Sequence, residues 1–365
     1  MNMKTICRTE LCTGCASCAA VCPQGCISLV PSSEGFLYPS VDEDLCLDCG
    51  KCVSACPNNT PVKARVPSAT YAGWSTDETI RASSSSGGAF HCLAESVIRQ
   101  GGVVFGAVLC EDLVVRHTVA DNLPSLAKMR GSKYAQSEMG DNYALVGCYL
   151  SEGRKVLFSG TPCQIAGLRS AFGQREGLVL VDIVCHGVPS VKFFRHYIGG
   201  LKERYPDMDA RSFQFRTLPA WNAVPNAVVG GERVPLRGHD SIYTKLFLKN
   251  MLHRESCYSC PYARAERVSD ITIADFWEIG AESPFDYDTA GGCSLVLVNT
   301  PVGEAQFAAL ESTFFSCART LSEAVAGNAQ LRAPSERPDN RRGIYDFLLS
   351  HTLDEIEGAL LPKKK

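Results

Sequence analysis

The chain has 365 residues, a formal net charge of −3, and 45% hydrophobic and 21% charged residues. This length suits two or three domains, and the charge balance gives no sign of a nucleic-acid partner. No apolar run approaches the roughly 20 residues of a membrane helix, and the polar N-terminus lacks the apolar core of a signal peptide. We therefore expect a cytoplasmic protein with no membrane span.

Cysteine is the unusual residue type, because the chain has 19 and ten of them lie within residues 1–60. In a reducing compartment, clustered cysteines are metal ligands more often than disulfide partners. Eight of the ten form two copies of one pattern, Cys12-x2-Cys15-x2-Cys18-x3-Cys22-Pro23 and Cys46-x2-Cys49-x2-Cys52-x3-Cys56-Pro57. This run is the ligand spacing of bacterial ferredoxins that hold two 4Fe-4S clusters.

In such a run, the first three cysteines hold one cluster and the fourth ligates the other cluster. The spacing therefore predicts a first cluster held by Cys12, Cys15, Cys18 and Cys56, and a second held by Cys46, Cys49, Cys52 and Cys22. Cys7 and Cys26 fall outside the pattern and are predicted to be free thiols. A pair of zinc sites is the alternative, but zinc generally takes separated pairs of ligands rather than a run ending in proline.

Beyond residue 60, apolar β-rich runs alternate with helical stretches. Residues 61–69, with two prolines and two basic residues, are predicted to be a linker. Strands are predicted at 71–75, 101–109, 114–119, 155–160, 178–185, 271–276 and 293–299, helices at 88–100 and 162–172, and short strands within 211–235. This alternation indicates a sheet covered by helices.

The predicted fold class is an α+β ferredoxin-like two-cluster module followed by a larger α/β domain with a mainly parallel or mixed sheet. The predicted divisions are the module at 1–60, the linker at 61–69, the α/β domain at 70–335 and a C-terminal helical tail at 336–365. The terminal three lysines are expected to be solvated.

Two segments of the α/β domain favour a flavin. The run SSSSGGAF at 83–90 leads into a helix, and small residues at a helix N-terminus allow a phosphate to approach unpaired N–H groups. RGSKY at 130–134 adds cations and a second Gly-Ser turn, and Lys133 is placed to meet a phosphate or the flavin ring. One-electron clusters need a partner that converts single electrons into electron pairs, which is the chemistry of a flavin. A plain loop and helix cap is the alternative.

A further set of cysteines follows, at Cys163, Cys185, Cys257 and Cys260. Cys163 and Cys185 come after consecutive strands that a helix would make parallel, so both thiols are expected at the carboxyl edge of the sheet. Three interpretations remain open from the pattern. The four hold a third cluster, or Cys163 is a nucleophile with His186 as its base, or the four are unrelated buried cysteines or a zinc site.

At these residues the sequence resembles the beta subunit family of coenzyme F-420 hydrogenase and dehydrogenase, which includes 7-hydroxymethyl chlorophyll a reductase. The motifs that carry the resemblance run in order over about residues 70–300: SSSSGGAF, GGVVFGAV, RGSKYAQS, LFSGTPCQIAGLR, VDIVCHGVPS, CYSCPYA and SDITIADFW. Several members also carry an N-terminal two-cluster ferredoxin segment. The family's usual Gly-Asp-Phe-Trp-Gly is replaced here by Ala274, Asp275, Phe276, Trp277 and Glu278.

The resemblance implies a bound FAD and a third 4Fe-4S cluster beside it. By position in the family motifs, the third cluster's ligands would be Cys163, Cys185, Cys257 and Cys260. The flavin contacts would come from Ser84, Ser85, Ser86, Gly87, Gly88, Gly131, Ser132, Lys133 and Tyr134, with Gly160 and Thr161 next to the cluster loop. Lys133 and His186 are candidate catalytic groups that would tune the site.

The resulting hypothesis is an enzyme, an iron–sulfur flavoprotein oxidoreductase. It would pass electrons between 4Fe-4S clusters and FAD and exchange hydride with an organic donor or acceptor such as coenzyme F-420. Its other partner would be a redox protein or subunit, either a ferredoxin, a hydrogenase or a dehydrogenase. The alternatives are an electron-transfer subunit with no substrate site of its own, and a thiol enzyme acting through Cys163 and His186.

Overall fold

The computed structural model describes residues 5–218 and 223–361. Part of the 211–235 segment, for which short strands are predicted, and the terminal lysines lie outside these residues. The strands are β1 (Ile27–Pro31), β2 (Leu37–Val41), β3 (Ala69–Ser75), β4 (Val103–Leu109), β5 (Val115–Ala120), β6 (Val156–Gly160), β7 (Leu178–Ile183), β8 (Met208–Gln214), β9 (Asn226–Val229), β10 (Glu232–Pro235), β11 (Ile271–Asp275), β12 (Ser294–Val298) and β13 (Phe314–Arg319).

Helices cover the sheets and connect them. They are α1 (Ser17–Ala20), α2 (Lys51–Ser54), α3 (Glu78–Ala82), α4 (Ala89–Arg99), α5 (Leu123–Met129), α6 (Asn142–Ser151), α7 (Pro162–Phe172), α8 (Val191–Arg204), α9 (Ile242–Leu248), α10 (Pro301–Ala308), α11 (Leu321–Gly327), α12 (Ile344–Ser350) and α13 (Leu353–Leu360). None of the described helices is both long enough and apolar enough to cross a bilayer.

An eight-stranded mixed sheet forms the large domain, in the order β13-β3-β12-β11-β7-β6-β4-β5. The four central strands β11, β7, β6 and β4 are parallel to one another, and the flanking pairs are antiparallel. Helices α4, α5 and α10 cover one face and α6 and α7 cover the other, so the central strands are buried on both sides. The carboxyl ends of the parallel strands therefore share one edge of the sheet.

The ferredoxin module packs against α7 of this domain, and the last two helices pack near α8. β1 and β2 form an antiparallel hairpin, and α1 contacts α7 of the large domain. Apart from the two faces of the large sheet, an apolar cluster joins α8, α9, α12 and α13 to the three-stranded sheet β10-β9-β8, and it includes Phe36 of the module.

The fold class predicted from the sequence is confirmed, with the sheet mixed rather than mainly parallel. All seven strands predicted in the large domain are present, and β6 and β7 are parallel neighbours as expected. The sequence pattern did not reveal β13, of whose six residues only Phe314 is buried. The predicted linker is tied to the sheet at two points, through a bridge between Arg65 and Arg267 and a bond from the Ser68 N–H to the Val298 carbonyl. The division of the chain into domains stays a prediction.

Candidate iron–sulfur and flavin site

The two cysteine loops of the module have the same backbone shape. In each loop the residue before the second cysteine has a positive φ, at Gly14 (66°) and Asp48 (54°). The residue after that cysteine is left-handed as well, at Ala16 (66°) and Gly50 (70°). Left-handed residues are uncommon outside glycine, so a matched pair in each loop indicates that both loops curl in the same way.

The first group of thiols contains the residues expected from the crossed assignment. Burial is the main cause that raises the pKa of Cys18 to about 12, and the neighbouring thiols of Cys15, Cys12 and Cys56 contribute to this rise. Cys56 comes from the second run, so the structure brings it to the first loop, as the assignment requires. In the second group, burial raises the pKa of Cys52, and Cys22 of the first run is among its neighbours. Ligation itself stays a prediction.

Cys7 and Cys26, predicted to be free thiols, lie within these groups, and that neither is a ligand stays a prediction. Cys7 contacts Cys12 and Cys56, and its thiol lowers the pKa of each of them to about 6. The Cys26 Sγ lies 3.3 Å from the Cys22 Sγ, and Cys22 raises the pKa of Cys26 to about 11. Each sulfur group therefore has one cysteine more than a cluster needs.

The downstream cysteines come together at the carboxyl edge of the sheet. Cys163 lies in the first turn of α7 after β6, Cys185 follows β7, and Cys257 and Cys260 lie on and beside a 3-10 turn at Glu255–Ser259. Burial is the main cause that raises the pKa of Cys163 to about 11, and the neighbouring thiol of Cys260 contributes to this rise. Burial is also the main cause that raises the pKa of Cys257 to about 12, with smaller contributions from Cys163 and Cys260. The four thiols thus face one another.

The geometry gives no support to the zinc and nucleophile interpretations. Among the residues that the structure describes, no three His, Cys, Asp or Glu side chains converge closely enough to hold a metal ion. Thiols that are neighbours without converging suit a cluster, in which several iron and sulfide ions separate the ligands. A nucleophilic Cys163 would need a lowered pKa, whereas burial raises it, and its Sγ contacts the Thr161 Oγ1 at 3.1 Å. The His186 ring packs instead on Phe247 and His253, with 5.0 Å between centroids in each case.

The first cysteine loop lies directly against α7, whose first turn carries Cys163. We call Cys163, Cys185, Cys257 and Cys260 the downstream quartet. A Cβ atom on Gly167 would stand 3.0 Å from the Cys15 Sγ and 2.9 Å from the Tyr143 Oη. Cys15 is 8% exposed, and Cys163 is one of the thiols that act on it. The junction between the module and the large domain therefore places the first sulfur group beside the downstream quartet.

The two segments predicted to contact flavin meet in the structure. The Ser132 N–H donates to the Ser85 Oγ at 2.7 Å, and the Arg130 Nη1 donates to the Ser83 Oγ at 2.8 Å. Gly88 has a φ of 92° at the N-cap of α4, and Gly131 has a φ of 83° with open space where its Cβ would be. They lie at the sheet edge that also carries the downstream quartet.

Several of the predicted flavin contacts already have partners within the chain. The Ser84 Oγ donates to the Ile80 carbonyl at 2.7 Å, and the Ser86 Oγ donates to the Cys293 carbonyl at 3.0 Å. A Cβ on Gly87 would stand 2.3 Å from the Gly73 carbonyl oxygen, so close packing on β3 is enough to explain this glycine. Part of the serine–glycine run therefore serves packing within the chain, which agrees with the alternative interpretation of this run as a plain loop and helix cap.

The other predicted side chains also have defined places. The Lys133 Nζ donates to the carbonyls of Lys128, Met129 and Arg130 at 3.2, 2.8 and 2.8 Å, and burial lowers its pKa to about 7. It therefore caps the end of α5. Tyr134 stacks on Phe247 at 4.6 Å. Burial lowers the pKa of His186. Gly160 ends β6, and Thr161 caps α7 together with Gln164, which orients the Cys163 turn.

Comparisons with known proteins agree with this arrangement. The models of the coenzyme F-420 hydrogenase/dehydrogenase beta subunit match this chain, the N-terminal model over residues 70–141 and the C-terminal model over 153–320. Together they cover about two thirds of the chain. A 4Fe-4S dicluster domain model matches residues 11–60, which contain all eight cysteines of the two runs.

The chain belongs to the coenzyme F-420 hydrogenase/dehydrogenase beta subunit family. Among solved structures, a chain from a xenon-derivatised F-420-reducing NiFe hydrogenase complex of Methanosarcina barkeri is similar in fold, with 18% sequence identity and a TM-score of 0.50. The match covers 80% of this chain and 92% of that chain. No curated protein gave a significant match. The family and the dicluster domain identify the chain as an iron–sulfur protein of an oxidoreductase family.

Glu278, where the resemblance to the family leads one to expect a glycine, has an unusual backbone conformation. Glu278 has a φ of 57°, a conformation that glycine adopts without strain and a glutamate adopts at a cost of about 1 kcal/mol. Nearby, Asp275 ends β11 and pairs with Arg216 at 2.7 Å, with the Ser86 hydroxyl as a further partner. Burial raises the pKa of Asp275.

Sequence reasoning missed the residues that join the module to this edge. Arg254 lies outside the motifs of the sequence, whereas Gln136 lies in the RGSKYAQS segment, two residues after the predicted flavin contacts; both contact the first cysteine loop. Arg254 is three residues before Cys257, which was the only signal of its position.

Proposed function

We propose that this chain is an FAD- and 4Fe-4S-dependent oxidoreductase that passes electrons between the ferredoxin-type module and FAD. When bound, the clusters would supply single-electron transfer, and FAD would exchange hydride with an organic cofactor or substrate such as coenzyme F-420. The observation that carries the proposal is the contact of Cys15 with Gly167 of α7. Because Cys163 lies in the first turn of α7, this contact would give electrons a short path from the module to the sheet edge.

The downstream quartet is proposed to hold the third cluster. Four mutually facing buried thiols are costly as thiolates in an apolar setting, as the raised pKa values of Cys163, Cys185 and Cys257 indicate. Iron supplies the positive charge that stabilises coordinated thiolates. A cluster bound there would satisfy four groups that otherwise repel one another.

The flavin is proposed to lie along the same edge, near the paired segments of Ser85 and Ser132. The N-terminal turn of α4 and the Arg130 guanidinium favour the negative charge of a pyrophosphate. Because Lys133 already donates to three carbonyls, we expect it to support the shape of this loop. The open space at Gly131 leaves room for a ligand beside that loop.

The chain also fits a second function, that of an electron-transfer subunit without its own substrate site. The fold similarity to a chain of a hydrogenase complex favours a partner subunit, either a hydrogenase or a dehydrogenase, or a soluble ferredoxin. The two functions differ in what the isolated chain can do. If reduced coenzyme F-420 bleaches the flavin of the isolated protein, the chain has its own hydride site. If it does not, while dithionite does, the relay function is favoured.

Metal and flavin analysis of anaerobically purified protein tests the cofactor set. We expect roughly twelve irons and one FAD per chain, counting three four-iron clusters. Cys163→Ala should lose about four of these irons. Cys148→Ala, which removes an exposed cysteine, should lose none. A chain with full iron after Cys163→Ala would contradict the third cluster.

A further inference from the structure

Three arginine side chains are almost completely buried: Arg254, Arg267 and Arg341, with exposures of 0%, 2% and 2%. Arg267 pairs with Asp182 at 2.8 Å, and Arg341 pairs with Glu34 at 2.7 Å. In contrast, no carboxylate within residues 5–218 and 223–361 forms an ion pair with Arg254. A buried charge without a counter-charge is strongly destabilising, so the negative partner of Arg254 must be sought elsewhere.

The guanidinium of Arg254 is held against the first cysteine loop by three hydrogen bonds to uncharged acceptors. Its Nε donates to the Cys12 carbonyl at 2.6 Å, its Nη1 to the Gln136 Oε1 at 3.0 Å and its Nη2 to the Leu37 carbonyl at 2.9 Å. A Cβ on Gly14 would stand 2.9 Å from the Nη1, so this loop approaches the guanidinium as closely as a glycine allows. The charge therefore has a fixed position beside the first sulfur group.

The backbone of the same residue belongs to the downstream quartet. The Arg254 N–H donates to the Val188 carbonyl at 3.0 Å, three residues after Cys185. The Cys257 N–H donates to the Arg254 carbonyl at 2.9 Å. The positive charge acts on the thiols of Cys12, Cys163 and Cys257, so it lies between the two sulfur groups.

We propose that the iron–sulfur centres are the counter-charge of Arg254, and that Arg254 is a positioning residue that raises the reduction potential of the first cluster and of the centre held by the downstream quartet. A cluster with four thiolate ligands is anionic and becomes more so when it accepts one electron. A fixed positive charge therefore favours the reduced form, and net charge is one of the factors that set cluster potentials. The part that concerns the quartet rests on the proposed function.

Potentials of the full-length chain, titrated anaerobically and followed by electron paramagnetic resonance, test this role. Arg254→Gln keeps hydrogen-bonding capacity and removes the charge. We expect the equilibrium constant for reducing the first cluster to fall about tenfold, or ~59 mV for one electron. The quartet centre should shift in the same direction. The second cluster, whose loop does not bond Arg254, is the internal reference. Arg254→Lys keeps the charge and should restore most of the potential.

A second variant tests the charge without removing the arginine. Gln136→Glu is isosteric and places a carboxylate on the Nη1, while it gives up the Nε2 bond to the Thr13 carbonyl, so it should neutralise Arg254 and also lower the first potential. This variant carries the test if Arg254→Gln does not fold. The matched control is Arg341→Gln, because Arg341 is equally buried and also contacts the module, but its charge is neutralised by Glu34. It should leave both potentials unchanged.

The proposal is overturned if iron-replete Arg254→Gln and Gln136→Glu keep the wild-type potentials. It is also overturned if Arg254→Lys or Arg341→Gln shifts the first potential as far as Arg254→Gln does. Failure of the proposed function has a different signature, which is a wild-type chain with about eight irons and no FAD. Even in that case the first cluster would report whether Arg254 sets its potential.

Discussion

The two cysteine loops of the module share one backbone shape and have opposite surroundings. In the first loop, Cys12 and Cys15 are buried against the large domain, and Arg254 closes over the carbonyl of Cys12. In the second, Cys49 is exposed and the neighbouring Leu47 is 65% exposed. The duplicated sequence motif therefore has two unlike environments, because the first loop packs on the large domain and Cys49 of the second loop is exposed.

This difference assigns different tasks to the two loops within the proposed function. Exposure, hydrogen bonding and nearby charge set the potential of a cluster, so identical ligand spacing does not imply identical potentials. The first loop, the inner one, contacts α7 and the downstream quartet, which suits electron transfer within the chain. The second loop, the outer one, presents Leu45, Leu47 and Val53 to solvent, and we expect a redox partner to approach there.

The largest expected effect comes from removing one ligand from each loop. Cys15→Ala and Cys49→Ala should each lose about four irons relative to the unsubstituted chain. Only Cys15→Ala should also lower the melting temperature of the large domain substantially, because its cluster lies at the junction with α7. Iron analysis and thermal unfolding by circular dichroism measure the two effects. Equal falls in melting temperature would show that the inner loop does not support the junction.

The close contact between the inner loop and α7 can be tested at Gly167. Gly167→Ala should destabilise the chain by ~1–3 kcal/mol, because the added methyl group meets the Cys15 Sγ and the Tyr143 Oη. Gly199→Ala in α8 is the matched control, since nothing lies within 4 Å of its Cβ position. That control should stabilise the chain by up to about 1 kcal/mol through helix propensity. Chemical denaturation compares the two, and a stabilising Gly167→Ala would mean that the loop yields easily.

Histidine protonation in mild acid should destabilise the large domain and not the module, because residues 1–60 contain no histidine. Burial lowers the pKa of His117 to about 4, and the neutral ring is bonded to the Ser159 carbonyl and the Ser137 hydroxyl. The unfolded chain binds a proton near pH 6.5 and the folded chain does not. The stability contributed by neutral His117 is therefore present above pH 6.5 and is lost as the pH falls towards 4.

His117→Gln should remove this loss, because an amide can replace both hydrogen bonds and does not titrate. Between pH 6.5 and 4, the free energy of unfolding of the wild type should fall faster than that of His117→Gln, by up to about 1.4 kcal/mol per pH unit. Denaturation at several pH values measures the slopes. Parallel slopes for the two proteins would mean that His117 is protonated in the folded state.

A feature of the structure could be predicted from the sequence when it depends on residues that lie close together along the chain. The ferredoxin runs and the strands of the large domain are local patterns, so spacing and periodicity were enough to predict them. The parallel neighbours β6 and β7, and hence the shared edge of Cys163 and Cys185, followed from the handedness of crossover connections. The choice between a mainly parallel and a mixed sheet stayed open in the sequence, because β12 and β3 pair antiparallel across more than two hundred residues.

The junction residues show what sequence reasoning cannot reach. Arg254 reads as an ordinary basic residue near a cysteine, and only the folded chain shows that it is buried without a carboxylate partner among the described residues. The role of Gln136 is likewise visible only in the folded chain, since its amide donates to the Thr13 carbonyl, 123 positions away in the sequence. Such contacts depend on the packing of two domains, which no local pattern records.

The smallest expected effect concerns the extra thiol beside each sulfur group. Cys7 and Cys26 each contact the crossing cysteine of their group, Cys56 and Cys22, so the two groups are alike in this respect although their surroundings differ. Because each run already supplies the cysteines that a cluster needs, both thiols should be hydrogen-bond partners of ligand sulfurs rather than ligands. Cys7→Ala and Cys26→Ala should therefore keep the iron content of the wild type.

The control for this prediction is the loss of a ligand from the same groups. Cys18→Ala and Cys52→Ala should each lose about four irons, and iron analysis with visible absorption compares all four variants. Loss of iron in Cys7→Ala alone would mean that the inner group uses a ligand from outside its run. In that case the likeness of the two loops would end at their backbone, and the crossed assignment of Cys56 would have to be replaced.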